Sequence, residues 1–441
     1  MIEKGNKKII QGWAMYDWAN SAYSLVITST IFPIFYKNIT TVTNSLGDMV
    51  SEKVSVFGFE FNNSVLYSYS ISFSFLLVVI LAPLLSGIAD YADNKKKFMQ
   101  FFCYLGAASC AGLFFFDPAY LELSMSLVVL ASIGFSGSLV FYNAFLPEIA
   151  EAHQQDRVSA QGYALGYVGS TILLIFNLSM IMFPDIYGLE EGGMAARISF
   201  LSVGVWWAAF AQIPFKRLPN KSFNVKREGH YLTKGYQEIL EVFHDLKKNK
   251  RLKRYLLAFF VFNMAVQTVM YMAVTFGKDE IADMPDSGLI ISILIIQIIA
   301  IGGAYFCSFL SALFGNIRTL SMILVVWLLI CVLAIYTYTA VQFYLLAALV
   351  GFVMGGVQAL SRSTYSKILP DTRDHTSYFS FYDVCEKLGI VLGTFIYGFV
   401  MEITESSRNS IFALTLFFAL GLVLLNMVPE IKQKTKKLDL H

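Results

Sequence analysis

Two charged positions inside apolar runs are where this chain could do chemistry. In GWAMYDWANSAYSLVITSTIFPIFY, Gly12–Tyr36, Asp17 and Asn20 are surrounded by aromatic, aliphatic and small residues. On a helix Asp17, Ser21, Ser24 and Thr28 recur at i, i+4, i+7 and i+11 with Asn20 beside them, a polar stripe on an oily cylinder. Such a stripe suits a water-filled path, because an ionisable group facing lipid costs at least ~2.5 kcal/mol. The alternative places Asp17, flanked by Trp13 and Trp18, in an interfacial aromatic belt, hydrated and favoured by the positive end of its helix. The second position is SYFSFYDVCEKLGIVLGTF, which holds Asp383, Glu386 and Lys387. Asp383 and Lys387 are i and i+4, close enough to pair. Glu386 points elsewhere and has no local partner. It is expected either to carry a proton, as an unpaired buried carboxyl can, or to pair with a residue such as Arg362 on a neighbouring helix. Lys387 would attract a substrate carboxylate or serve as a counter-ion.

Further polar groups sit in other apolar runs. Gln358, Ser361, Arg362 and Tyr365 share one helical face, with Arg362 near the end of its run, where it could also act as a positive anchor. Tyr142, Asn143, Asn263, Gln267 and Gln297 add uncharged hydrogen-bonding groups that suit contacts between helices or a solute. The five cysteines form no C-x-x-C pair, and the five histidines lie in polar segments. No disulfide framework, metal site or cofactor is expected.

The elements that must carry these residues are transmembrane helices. Of 441 residues 56% are hydrophobic and 15% charged, with mean hydropathy +0.59, against roughly 25% charged in soluble chains. Runs long enough to cross a bilayer, about 20 residues each, fall near 12–36, 64–89, 98–116, 122–146, 160–182, 198–215, 254–276, 287–313, 319–338, 341–365, 378–401 and 408–428. The expectation is an all-α polytopic membrane protein of twelve helices. The first run is too long for a signal peptide and lacks a cleavage site, so it reads as a retained span. Twenty-seven of the 33 Lys and Arg residues fall on the side holding the N-terminus, five on the other, and Lys387 lies inside a span. That bias predicts both termini in the cytoplasm of an inner (plasma) membrane protein. The charge balance of +2 suggests no nucleic acid.

The chain divides into a six-helix bundle over 1–214, a linker over 215–253, a second bundle over 254–428 and a basic cytoplasmic tail over 429–441. In the linker, YLTKGYQEILEVFHDLKK spaces Leu232, Tyr236, Ile239, Leu240, Phe243 and Leu246 as an amphipathic helix. An internal repeat supports two related bundles. YNAFLPEI from Tyr142 and YSKILPDT from Tyr365 are offset by 223, and SGIADYADNKKK from Ser86 and SFLSALFGNIR from Ser308 by 222. The glycines of GFVMGG and LGIVLG are expected to allow close helix packing.

Twelve spans, a long central loop and a basic turn after span 2 resemble the major facilitator superfamily. Its signature there is approximated by Asp90 with Lys95, Lys96 and Lys97, and departs at Ser86, Tyr91 and Asp93. In the second copy Gly315 and Arg318 survive, but Ala312 replaces the aspartate, so the conformational relay implied for Asp90, Lys95 and Lys96 is expected in the first half only. YDWANSAY, GGVQALSRSTYSKILPD and SYFSFYDVCEKLGIVLGTF are similar to the family of autophagy-linked vacuolar amino-acid effluxers and their bacterial relatives. The resemblance implies a monomeric secondary active or facilitative transporter working by alternating access, with small polar solutes such as amino acids as cargo and protons as a candidate coupling ion. It departs at Met264 and Ala265, where aspartate and glycine are frequent, which weakens the case for coupling. The path residues would be Asp17, Asn20, Ser24, Tyr142, Asn143, Asn263, Gln267, Gln358, Arg362, Asp383, Glu386 and Lys387. A lipid or amphiphile flippase of the same fold is the alternative. A membrane enzyme is disfavoured because no span holds a histidine and no nucleotide-binding glycine loop occurs; a sensor would be expected to carry an appended soluble domain.

Overall fold

Backbone N–H and C=O groups find no partner in hydrocarbon, so each apolar run must close its hydrogen bonds internally. In the computed structural model, residues 4–43, 49–91, 94–189, 193–219, 231–281, 284–372, 374–404 and 406–429 are described. The long helices are α3 (Asn63–Tyr91), α4 (Lys95–Gly112), α5 (Leu121–Asn143), α7 (Gln155–Met182), α8 (Met194–Phe210), α11 (Lys250–Glu280), α12 (Asp286–Phe314), α13 (Asn316–Ile335), α14 (Ala340–Ile368), α15 (His375–Thr404) and α16 (Ser407–Asn426). These account for eleven elements, among the described residues, long and apolar enough to cross a membrane. Short helices α6 (Leu146–Ile149) and α9 (Gln212–Arg217) lie at their ends.

The first expected span differs from the regular helix anticipated over 12–36. The chain is helical from α1 (Lys7–Ala22) to α2 (Phe32–Thr40), but Tyr23–Ile31 between them is a π-helix. Ser29 and Thr30 donate their hydroxyls to the carbonyls of Ser24 and Leu25, five residues back, at 2.9 and 2.7 Å. The wider turn shifts the register, so Leu25 and Ser29 join Thr28 on the interior face. Side-chain periodicity gave no sign of this.

Between α2 and α3 the sequence reading found no structure, yet two small antiparallel ladders form there. In one, Lys53–Val56 pairs with Phe59–Asn62 around a two-residue turn at Phe57 and Gly58, both with positive φ, as such tight hairpins require. The amphipathic helix in the linker is α10 (Tyr231–Lys248). Its inward contacts are made by Val242 and Leu246, and Phe243 stacks on Phe381 of α15 at 6.0 Å. Tyr236 and Leu240, expected on the buried stripe, are exposed.

Most buried apolar side chains fall into two large clusters. One is built from α1 to α9 and the other mainly from α10 to α16. Glycines let particular pairs approach closely. A side chain at Gly351 or Gly355 would strike the α12 backbone at Ile296 or Ala300, and one at Gly393 would strike Met264 and Thr268 of α11. The packing role expected for these residues is what the geometry displays.

Candidate functional site

The site begins where α7 lies against α1. Gly162, Gly166 and Gly169 form the contact, and a Cβ on them would collide with Asp17, Ser21 and Trp18 respectively. This closeness puts Asp17 deep in the interior, 4% exposed. Both terminal nitrogens of Arg362 donate to its Oδ2 at 3.2 Å, and the Tyr142 hydroxyl donates to the same oxygen at 2.8 Å. Arg362 is 1% exposed. Its Nε donates to the Ser159 hydroxyl at 2.9 Å, Nη2 to the Ser159 carbonyl at 3.0 Å, and Nη1 to Asn143 Oδ1 at 3.3 Å. The guanidinium stacks over Tyr163, 4.1 Å from the ring centroid, and over Trp13 at 4.8 Å. Trp13 stacks on Tyr142 and donates its indole N–H to the Tyr142 carbonyl.

Two sequence readings are corrected by this arrangement. Asp17 is enclosed rather than hydrated at a surface, and Arg362 is enclosed rather than a surface anchor: each neutralises the other where either alone would be a buried charge. A buried pair of this kind adds little net stability, but removing one partner strands the other charge and costs about 3–5 kcal/mol.

On α15, Lys387 donates to Glu386 Oε1 at 2.7 Å and stands 3.6 Å from Asp383 Oδ1. The expectation that Glu386 lacks a local partner is therefore wrong, and its proposed pairing with Arg362 is not made. Adjacent residues on a helix diverge by about 100°, but the long, flexible lysine spans that gap.

These groups line one cavity of about 190 Å³. Of the twelve path residues named from sequence, Asp17, Asn20, Ser24, Asn143, Asn263, Gln267, Gln358, Arg362, Asp383, Glu386 and Lys387 all reach its wall, as does Gln297. Tyr142 does not; it sits behind Asp17 as a hydrogen-bond donor. A second cavity, about 400 Å³, shares Phe75, Tyr271 and Ile390 with the first and extends past Pro33, Tyr67 and Leu289, away from the N-terminal face. The sequence reading missed Ser159, Tyr163 and Tyr167. Tyr167 donates to Gln358 Oε1 at 2.5 Å, joining α7 to α14. The signal was available: in GYALGYVG the tyrosines recur at i and i+4 beside glycines at the same spacing.

Two polar clusters, or latches, tie helix ends together on the N-terminal side of the cavity. In the first, Asp90 at the end of α3 accepts the backbone N–H of Ser377, at the start of α15, at 2.6 Å. Beside it Lys95 of α4 pairs with Glu148, whose Oε1 also meets His375 Nδ1 at 3.2 Å. Lys96, grouped with these residues from sequence, instead donates to the Leu218 carbonyl beyond α9. Asp93 lies outside the described residues. The second latch was not anticipated. Asp156, at the start of α7, accepts from Lys367 (2.5 Å), Ser311 (2.8 Å) and Asn316 (2.8 Å). Asn316 also donates to the Thr364 hydroxyl at 2.9 Å. At the second copy of the motif Ala312 is exposed, and its neighbour Ser311 meets an acid supplied by another helix.

Comparison with solved structures defines the class. The chain superposes on the proton:xylose symporter XylE with TM-score 0.71 at 14% identity, covering 96% of each chain. It superposes on the fucose transporter FucP in its outward conformation with TM-score 0.68 at 13% identity, covering 96% of this chain and 98% of that one. The fold is that of a major facilitator superfamily transporter. Residues 5–438 match the family described as "Vacuole effluxer Atg22 like", and the chain belongs to it. It is 32% identical to an MFS-type transporter, YxiO of Bacillus subtilis, over 95% of this chain and 94% of that protein. It is 23% identical to autophagy-related protein 22 of Saccharomyces cerevisiae, over 95% and 90%. The protein is thus an integral, multi-pass membrane transporter of solutes and not an enzyme.

Proposed function

We propose that this protein is an alternating-access carrier for small polar solutes, with amino acids as the first class to test. The observation that carries the reading is a membrane-embedded cavity whose wall holds both signs of charge, Asp17 with Arg362 and Asp383 with Glu386 and Lys387, amid amides and tyrosines. Such a wall offers partners to both ends of a zwitterion, and desolvating these charges for a lipid tail would be costly. We take Lys7–Thr40 as a twelfth span despite its π segment. The carrier then comprises two six-helix halves, 1–214 and 254–428, joined by the 215–253 linker, with both termini cytoplasmic in the plasma membrane. On this assignment the latched state is closed toward the cytoplasm. The Atg22 relatives are named for vacuolar efflux, which favours amino acids as cargo only by analogy.

Flux into proteoliposomes tests the reading. Labelled amino acids are offered with and without an inward proton gradient, to the unaltered protein and to Asp17→Asn and Glu386→Gln. Uptake by the unaltered protein and loss in Asp17→Asn are expected. Folded protein that moves none of the panel removes the amino-acid class.

A further inference from the structure

We infer that Asp383 is a proton-binding site of the carrier, the one carboxylate in the central cavity that no cation hydrogen-bonds, its ion-pair partner Lys387 being shared with and held closer by Glu386. The inference rests on the carrier reading above and deepens it. Five charged side chains line the cavity among the described residues: Asp17, Arg362, Asp383, Glu386 and Lys387. Arg362 commits both terminal nitrogens to one oxygen of Asp17. Lys387 is nearer Glu386, at 2.7 Å, than Asp383, at 3.6 Å, which is beyond hydrogen-bonding range. Two cations therefore face three carboxylates.

The surplus falls on the most enclosed of the two span-11 acids. The Asp383 side chain is 5% exposed against 22% for Glu386, and Asp383 Oδ2 is buried with no hydrogen-bond partner. An uncompensated buried charge is expensive, and a bound proton removes it at a single oxygen. A hard metal cation would need several oxygen ligands. Around the cavity, the titratable groups that share the space with Asp383 are Lys387, Glu386 and Tyr382 on its own helix, Tyr271 of α11, Tyr163 and Tyr167 of α7, Arg362 of α14, Asp17 of α1 and Tyr23 of the π segment. The packed helices α3 and α5 present no charged or titratable side chain there, only Ile71, Phe75, Ser132, Phe135, Ser136, Leu139 and Asn143, and among the described residues α10 and α16 reach no part of the lining. The second cavity supplies a route for the proton from the face opposite the N-terminus.

The experiment needs no solute. Proteoliposomes on a solid-supported membrane receive an alkaline-to-acid pH jump, and the displaced charge is recorded. The unaltered protein should give a transient, Asp383→Asn should lose it, and Asp383→Glu should keep it. On the unaltered protein a hydrophobic carbodiimide, which attacks protonated carboxyls in apolar sites, should label Asp383. A transient of full size in Asp383→Asn, a transient evoked by sodium at constant pH instead, or labelling of Glu386 in place of Asp383 would each overturn the assignment. Neither readout depends on flux. A protein with the proton signal that moves no offered solute sinks the amino-acid class and keeps the site, whereas an amino-acid carrier without the signal does the opposite.

Discussion

The two latches of the N-terminal face bridge helix ends with opposite wiring. In the first, the carboxylate stands at the end of α3 and accepts a backbone N–H from the start of α15. In the second, it stands in the first turn of α7 and accepts the Ser311 hydroxyl from the end of α12. The difference follows from the helices that are being closed upon. A helix start carries unpaired N–H groups and a partial positive charge. The first turn of α15 holds no acidic residue, so it takes a carboxylate from α3; α7 supplies its own. Asp374, the residue before α15, adds a second carboxylate there, so the contrast is between Asp90, imported from α3, and Asp156, resident in α7. What must be kept is the charge at the helix start, not the helix that donates it.

The largest effect should come from removing the resident acid. Asp156→Ala would strand Lys367, whose side chain is 5% exposed, at a cost of about 3–5 kcal/mol, read as thermal unfolding in nanodiscs. Adding Lys367→Met should recover most of that loss, since no buried charge is then left unpaired. A sharper version exchanges the wiring: Asp156→Ser combined with Ser311→Asp places the acid at the end of α12, as in the first latch. Stability well above that of Asp156→Ala is expected. If the exchanged protein is no more stable than Asp156→Ala, the equivalence of the two latches fails.

A smaller effect is expected from the matching change in the first latch. Lys95→Met leaves Glu148 with His375 as a remaining partner, so the loss should be that of one charge-assisted bond, about 1.5–3 kcal/mol. A deficit as large as that of Asp156→Ala would show that His375 gives Glu148 no effective support.

The first latch could be read in the sequence because its acid and lysines keep a recognisable order. The second could not, because comparing equivalent positions leads to Ala312 and stops there. The spans were legible for a stronger reason: lipid forces every apolar run to seal its own backbone. The cavity residues stood out because each is a polar group in an oily run, and eleven of the twelve named reach the wall. Their partners were hidden. Asp17 and Arg362 lie 345 residues apart, and no local pattern announces that they meet. Glu386 was misjudged because helical phase alone ignores the reach of Lys387. The π segment was invisible because it changes the register without changing residue types.

The linker adds one more asymmetry, and a weaker test. Helix α10 packs against α3 and α15, which carry Asp90 and Ser377 of the first latch, and against α11. There the Glu238 carboxyl is pushed up to about 8, first by burial and then by Asp374 and Asp90 nearby. A carboxyl raised in the docked state holds its proton longer than when free. The docked helix is therefore favoured at low pH, loses that advantage as pH climbs from the ordinary 4.5 toward about 8, and changes little beyond it. A spin label at position 240, on the exposed side of α10, should become more mobile across that interval. Glu238→Gln, which cannot ionise, should stay immobile throughout. Because the helix packs on α3, α11 and α15 rather than on the helices that carry the second latch, Asp156→Ala should leave the pH response of the label unchanged; a shift would mean that the two latches are coupled across the cavity floor.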